Sequence, residues 1–127
     1  MPEKLVRISK SGGVPEIEIS FGHAQYAKYE IFLWDPNGQN PKLIGAGVNV
    51  DQIPDKFPVG TSAAALDKCL ISWEAIISAF DSSPGQLYSM TVTFTQDNKN
   101  APDGPFQQTG SLEGVKYAYD FARFKVS

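Results

Sequence analysis

Alternation of apolar and polar residues with period two runs through most of this chain, interrupted by clusters of Gly, Pro, Asn and Asp. In "VPEIEISFG" (14–22), Ile17, Ile19 and Phe21 fall on one side and Glu16, Glu18 and Ser20 on the other. That is the pattern of a strand with one buried and one solvated face. "KLVRISK" (4–10) repeats it, with Val6 and Ile8 inward, Arg7 and Ser9 outward, and Leu5 as the exception. "QLYSMTVTFTQ" (86–96) sets Tyr88, Met90, Val92 and Phe94 inward against an outward row of Ser89, Thr91, Thr93 and Thr95. "VKYAYDFARFKV" (115–126) separates Val115, Tyr117, Tyr119 and Phe121 from Lys116, Ala118, Asp120 and Ala122.

"KYEIFLW" (28–34) and "KLIGAGVNV" (42–50) read as neighbouring strands joined through "DPNG". Asp35, Pro36, Asn37 and Gly38 suit a type I turn with glycine in the left-handed position. In the second strand Ile44, Ala46, Val48 and Val50 share an apolar face. Gly45 and Gly47 opposite them predict either a bulge or a large group packed closely against the backbone.

"DQIPDKFPVGTS" (51–62) and "DNKNAPDGP" (97–105) read as loops, and "TGSLEG" (109–114) as a further turn. "AAALDKCLISWEAIISAFDSSPG" (63–85) fits two patterns. As a helix it aligns Leu66, Cys69, Leu70, Trp73, Ile76, Ile77 and Phe80 at spacings of three and four. As a strand it alternates Cys69, Ile71, Trp73, Ala75 and Ile77. The compromise is a short strand near 67–71 followed by a helix from Ser72 to Phe80, with Ser72 as N-cap and Glu74 in the first turn. The expected fold is therefore all-β: an antiparallel two-sheet β-sandwich of about six to eight strands, with one short helix near 72–80 and a single domain over 1–127.

Composition adds exclusions. The 127 residues are 42% hydrophobic and 20% charged, which is globular and not disordered usage. A net charge of −3 spread along the chain offers no electrostatic footprint for nucleic acid or anionic lipid. Cys69 is the only cysteine, which rules out an intrachain disulfide and a multi-cysteine metal site. No apolar run approaches a membrane span and "MPEKLVRISKSGG" lacks the features of a signal peptide, so a cytoplasmic protein is expected.

The inventory for catalysis is thin. His23 is the only histidine, no GxSxG elbow accompanies it, and Cys69 lies in an apolar run that would keep its thiol inert. "KSGG" (10–13) lies between strands and does not open a helix, so it is no phosphate loop. A non-enzymatic chain without a cofactor is expected. Asp and Asn in loops can gather oxygen ligands for calcium, with Asp35 and Asn37 in one loop and Asp97 and Asp103 in another. The same residues are also favoured turn formers.

One strand carries an anomaly. If Tyr29, Ile31 and Leu33 face the core, then Phe32 and Trp34 point outward beside Lys28 and Glu30. Two bare aromatics make an apolar patch of the kind that marks an interaction site. Two other arrangements would cover them: the 72–80 helix folding across, or a bulge near residue 30 that turns Trp34 inward. The expected use is protein–protein contact or self-association through Phe32 and Trp34, with Tyr26 and Tyr29 nearby. The alternative is a calcium-assisted or carbohydrate-binding module, in which Trp34 with Tyr26 or Tyr29 forms a platform for a sugar ring.

Overall fold

The computed structural model describes residues 4–22, 25–49, 53–60, 62–79 and 85–127. Ten strands form in chain order: β1 (Leu5–Ile8), β2 (Glu16–Gly22), β3 (Gln25–Trp34), β4 (Lys42–Asn49) and β5 (Asp55–Pro58), then β6 (Leu70–Ala79), β7 (Leu87–Gln96), β8 (Lys99–Asn100), β9 (Phe106–Ser111) and β10 (Val115–Val126). One sheet has the order β1-β10-β6-β3-β4, and the other runs β5-β2-β7-β8 with β9 also pairing to β7. All pairings are antiparallel except β1 with β10. The expected β-sandwich is the observed architecture. Among the described residues no helix is long and apolar enough to cross a membrane.

The helix expected near 72–80 does not form. Residues 70–79 are one continuous strand, paired along its whole length to β3 and over nine residues to β10. The one helical element among the described residues is a 3-10 turn at Ala64–Leu66. Both periodicities fitted because Leu70 and Ile76, on an otherwise polar outward face of Ser72, Glu74 and Ser78, also complete a helical stripe. Two flanking strands supply partners for its backbone groups, and its isoleucines and tryptophan suit a strand. Ser72 is consequently no cap, and Glu74 belongs to no first turn.

Three short strands exceed the expected count. β5 lies inside the proline-rich stretch read as a loop, where Pro58 is tolerated on a sheet edge. β8 has two residues, and β9 ("FQQTGS") has too little apolar alternation to announce itself. The "DPNG" turn forms as expected: Gly38 has φ +73 and donates its N–H to the Asp35 carbonyl at 2.9 Å.

The core between the sheets is aromatic at its centre. Trp73 of β6 meets Phe94 of β7 and Phe106 of β9, each at 5.9 Å between ring centroids, and Phe94 meets Phe124 of β10 at 5.7 Å. On the neighbouring strand Asp120 stands directly opposite Trp73, flanked on the same face by the buried Ala118 and Ala122. A second group joins Phe21, Tyr29 and Phe57. Here the glycines of β4 have their explanation. A β-carbon at Gly45 would stand 2.6 Å from the Phe57 ring, and one at Gly47 would stand 2.7 Å from the Tyr29 hydroxyl. Large groups do pack against that backbone.

The Tyr29 hydroxyl donates to the Asp55 carboxylate at 2.5 Å, tying β3 of one sheet to β5 of the other. Burial raises the hydroxyl's pKa far above the ordinary tyrosine value, and the Asp55 hydrogen bond and charge act in the same direction. Folded Tyr29 keeps its proton where an unfolded tyrosine loses it. Its contribution is therefore complete below about pH 10 and is withdrawn as pH climbs from there toward the folded value.

Two outcomes follow from this packing. Gly45→Ala is expected to cost about 1–3 kcal/mol in urea denaturation, and adding Phe57→Leu should recover part of the loss. Tyr29→Phe should cost about 1–3 kcal/mol at pH 7, and the gap to wild type should narrow above about pH 10.

Candidate functional site

The two outer faces of the sandwich differ in chemistry. On the β2–β7 sheet the outward residues are Glu16, Glu18, Ser20, Thr91 and Thr93, continued by Gln107 and Thr109 of β9. Leu87 is the exposed exception. The five-stranded sheet presents the opposite composition, because its outward positions carry most of the chain's exposed aromatics.

Phe32 and Trp34 do point outward, on the same face of β3 as Lys28 and Glu30, while Ile31 is fully buried and Leu33 packs against the core. A bulge exists at this point, but the extra residue, Ile44, lies in β4 opposite Ile31 and Phe32. β3 therefore keeps its phase. The rings are half-buried, 6.3 Å apart between centroids. The Trp34 indole N–H donates to the Ser72 hydroxyl at 2.8 Å, which holds the ring across β6 and leaves Ser72 only 4% exposed.

Sequence reasoning separated the faces of β10 but did not say which one turned out. Tyr117 (58% exposed), Tyr119 and Phe121 lie outward, with Val115 beyond them. Across β10, β6 and β3 the face reads in rows: Phe121–Ser72–Phe32, then Tyr119–Glu74–Glu30, then Tyr117–Ile76–Lys28. Leu43 and Val48 extend it onto β4. The available signal was the triple aromatic alternation in 117–121, which equals the core strands in hydrophobicity and so resembles them.

The indole divides the space above β6 into two grooves. One, of about 200 Å³, lies among Trp34, Gly38, Leu70, Tyr119 and Phe121. The other, of about 300 Å³, is bounded by Phe32, Trp34, Pro41, Ser72, Glu74 and Tyr119. Glu74 accepts a short hydrogen bond from the Tyr117 hydroxyl, which raises that tyrosine's pKa. Tyr119 is also raised, first by burial and then by the charges of Glu74 and Asp120.

The remaining candidates stand elsewhere. Tyr29 does not join the face: it is 2% exposed and engaged with Asp55. Tyr26 is outward but eight residues from Trp34 along one strand, about 26 Å away. Neither can complete a sugar platform with that indole. Asp35 accepts from the Asn37 and Gln39 N–H groups and from the Asn40 amide, bonds that lower its pKa and order its own turn. Asp103 binds the Arg7 backbone N–H and guanidinium, and the guanidinium holds its carboxyl below the usual range. Asp97 accepts from Gly13. Among the described residues no three His, Cys, Asp or Glu side chains gather to hold a metal ion. These carboxylates are linchpins of loops. Burial pushes the half-buried Cys69 thiol's pKa up, with Asp35 and Asp67 adding to the effect. His23 lies outside the described residues.

No protein-family model, no curated protein and no solved structure matches this chain.

One contact on the face works against folding. Glu30 and Glu74 stand directly opposite each other on β3 and β6, and like charges in that position repel. Glu30→Gln is expected to raise stability by about 0.2–1 kcal/mol in urea denaturation. The gain should shrink in about 1 M salt, where screening acts within about 3 Å.

Proposed function

We propose that this protein is a non-enzymatic binding module that docks a protein partner, or a second copy of itself, on the outer face of the five-stranded sheet. The observation that carries the reading is the contrast between the two outer faces, threonine and glutamate on one, tyrosine, phenylalanine and tryptophan on the other. Solvation alone gives no reason for such segregation.

The size also fits. Tyr26, Leu43, Val48, Ile76, Val115, Tyr117, Tyr119 and Phe121 are each 41–66% exposed. Together they expose roughly 600–1,100 Å², taking about 150–250 Å² for each fully exposed large side chain. A soluble surface usually leaves no more than a few hundred Å² contiguous, whereas one side of a stable interface covers about 800 Å². The large upward shift of Tyr29 and the lowered pKa values of Asp35 and Asp103 go with bonds that hold the fold together. A reducing compartment such as the cytoplasm suits a chain with one cysteine.

A photo-crosslinking residue placed at Tyr119 is expected to trap a discrete adduct, identified by mass, that the same residue at Thr93 does not. Ile76→Asp, in the middle of the aromatic face, should abolish the adduct while leaving the thermal midpoint within a few degrees. Sedimentation equilibrium then distinguishes a second copy from a different partner. Equal adducts from both faces would overturn the proposal.

A further inference from the structure

We propose that the occupant of this face is a different protein that inserts a lysine or arginine side chain between the rings of Phe32, Trp34 and Tyr119, with its charge against Glu74. The inference rests on the docking face proposed above and names what it recognises.

The walls of the groove have the right separation. Phe32 and Trp34 stand on β3 and Tyr119 on β10, with only β6 between them. Two strand spacings are about 9.5 Å, which leaves room for one slender chain with a ring on either side. A cation within about 6 Å of a ring centroid is attracted by the negative π face. The donor of the Trp34 indole is already used by Ser72, so what it offers the groove is its π surface.

Among the described residues no lysine or arginine lines the groove, and Lys28 stands one row away, beyond Glu30 on the same face of β3. Glu74 lines it, and Glu30 lies directly across from Glu74 on the next strand. The ion pairs among the described residues, Lys4 with Asp120 and Arg7 with Asp103, involve neither. Glu74 receives one hydroxyl proton from Tyr117, which leaves lone pairs on the carboxylate for a further donor. An incoming ammonium or guanidinium would relieve the repulsion between the two glutamates as it docks. A symmetric pairing of two copies centred on this row would instead bring four carboxylates together in a closing, low-dielectric gap. Charge complementarity thus favours a basic side chain from another protein.

The test uses Nα-acetyl-lysine methylamide and Nα-acetyl-norleucine methylamide, which share a four-carbon side chain that ends in an ammonium only in the lysine compound. Binding is read from the Trp34 indole N–H resonance, with the buried Trp73 indole as an internal control for the fold. The lysine compound is expected to give a saturable shift at Trp34 and the norleucine compound at least about tenfold weaker binding. Glu74→Gln, which keeps an acceptor for Tyr117, should weaken the lysine compound by about tenfold and leave the Trp73 resonance in place.

Equal response to the two compounds, or no response to the lysine compound, would overturn the cation site while leaving the docking face to its own crosslinking test. Self-association that Lys28→Gln abolishes would also overturn it, since the occupant would then be a second copy. Equal crosslinking from both outer faces would remove the docking face itself.

Discussion

Trp73 points into the gap between the sheets, and the period-two geometry of a strand then sends Ser72, Glu74 and Ile76 to the other side. Much else depends on that one orientation. The indole is closed in by Phe94 and Phe106 from the opposite sheet, and the register of β10 sets Asp120 directly opposite it, between Ala118 and Ala122. With Ala118, Asp120 and Ala122 on the Trp73 side, Tyr117, Tyr119 and Phe121 have nowhere to point but out. The register that seats one large ring in the core thereby puts three rings on the surface.

A surface built in this way is costly for a protein that works alone. It exposes apolar area, and it sets Glu30 against Glu74 on adjacent strands, where a glutamine would serve folding better. The other outer face shows that the same chain can make an ordinary wet sheet from threonine and glutamate. Features that weaken the isolated fold and cluster in one place are what a recognition surface leaves behind. The Trp34–Ser72 bond adds order: it holds the indole in position, so less freedom would be lost in the docking proposed above.

Some of this was legible in the residues. The outward pair Phe32 and Trp34 followed from strict alternation in 28–34, and it survived because the bulge added its extra residue to β4. Gly45 and Gly47 pointed to a bulge or a large neighbour, and β4 has both, though Phe57 and Tyr29 could not be named from sequence. The segment 70–79 misled, since Leu70 and Ile76 complete a helical stripe with Trp73 and Ile77, and only the flanking strands decide between helix and strand. Tyr29 was placed on the core face and also among the binding candidates. Its hydrogen bond to Asp55 across the sandwich leaves it to the core.

What the sequence determined by itself was the local alternation: which residues share a side of most strands, where turns interrupt, and hence that two sheets must stack. The exception is β4, because its bulge packs Ile44 against the core while Ala46 and Val48, expected on the same face, are exposed. Alternation is a property of neighbouring residues, so it is written locally. Which side of β10 meets the core is not local, because the more apolar side, Val115, Tyr117, Tyr119 and Phe121, is the one turned out. The tertiary structure decided it through register, since pairing with β6 sets Ala118, Asp120 and Ala122 on the face of Ala75, Trp73 and Ile71.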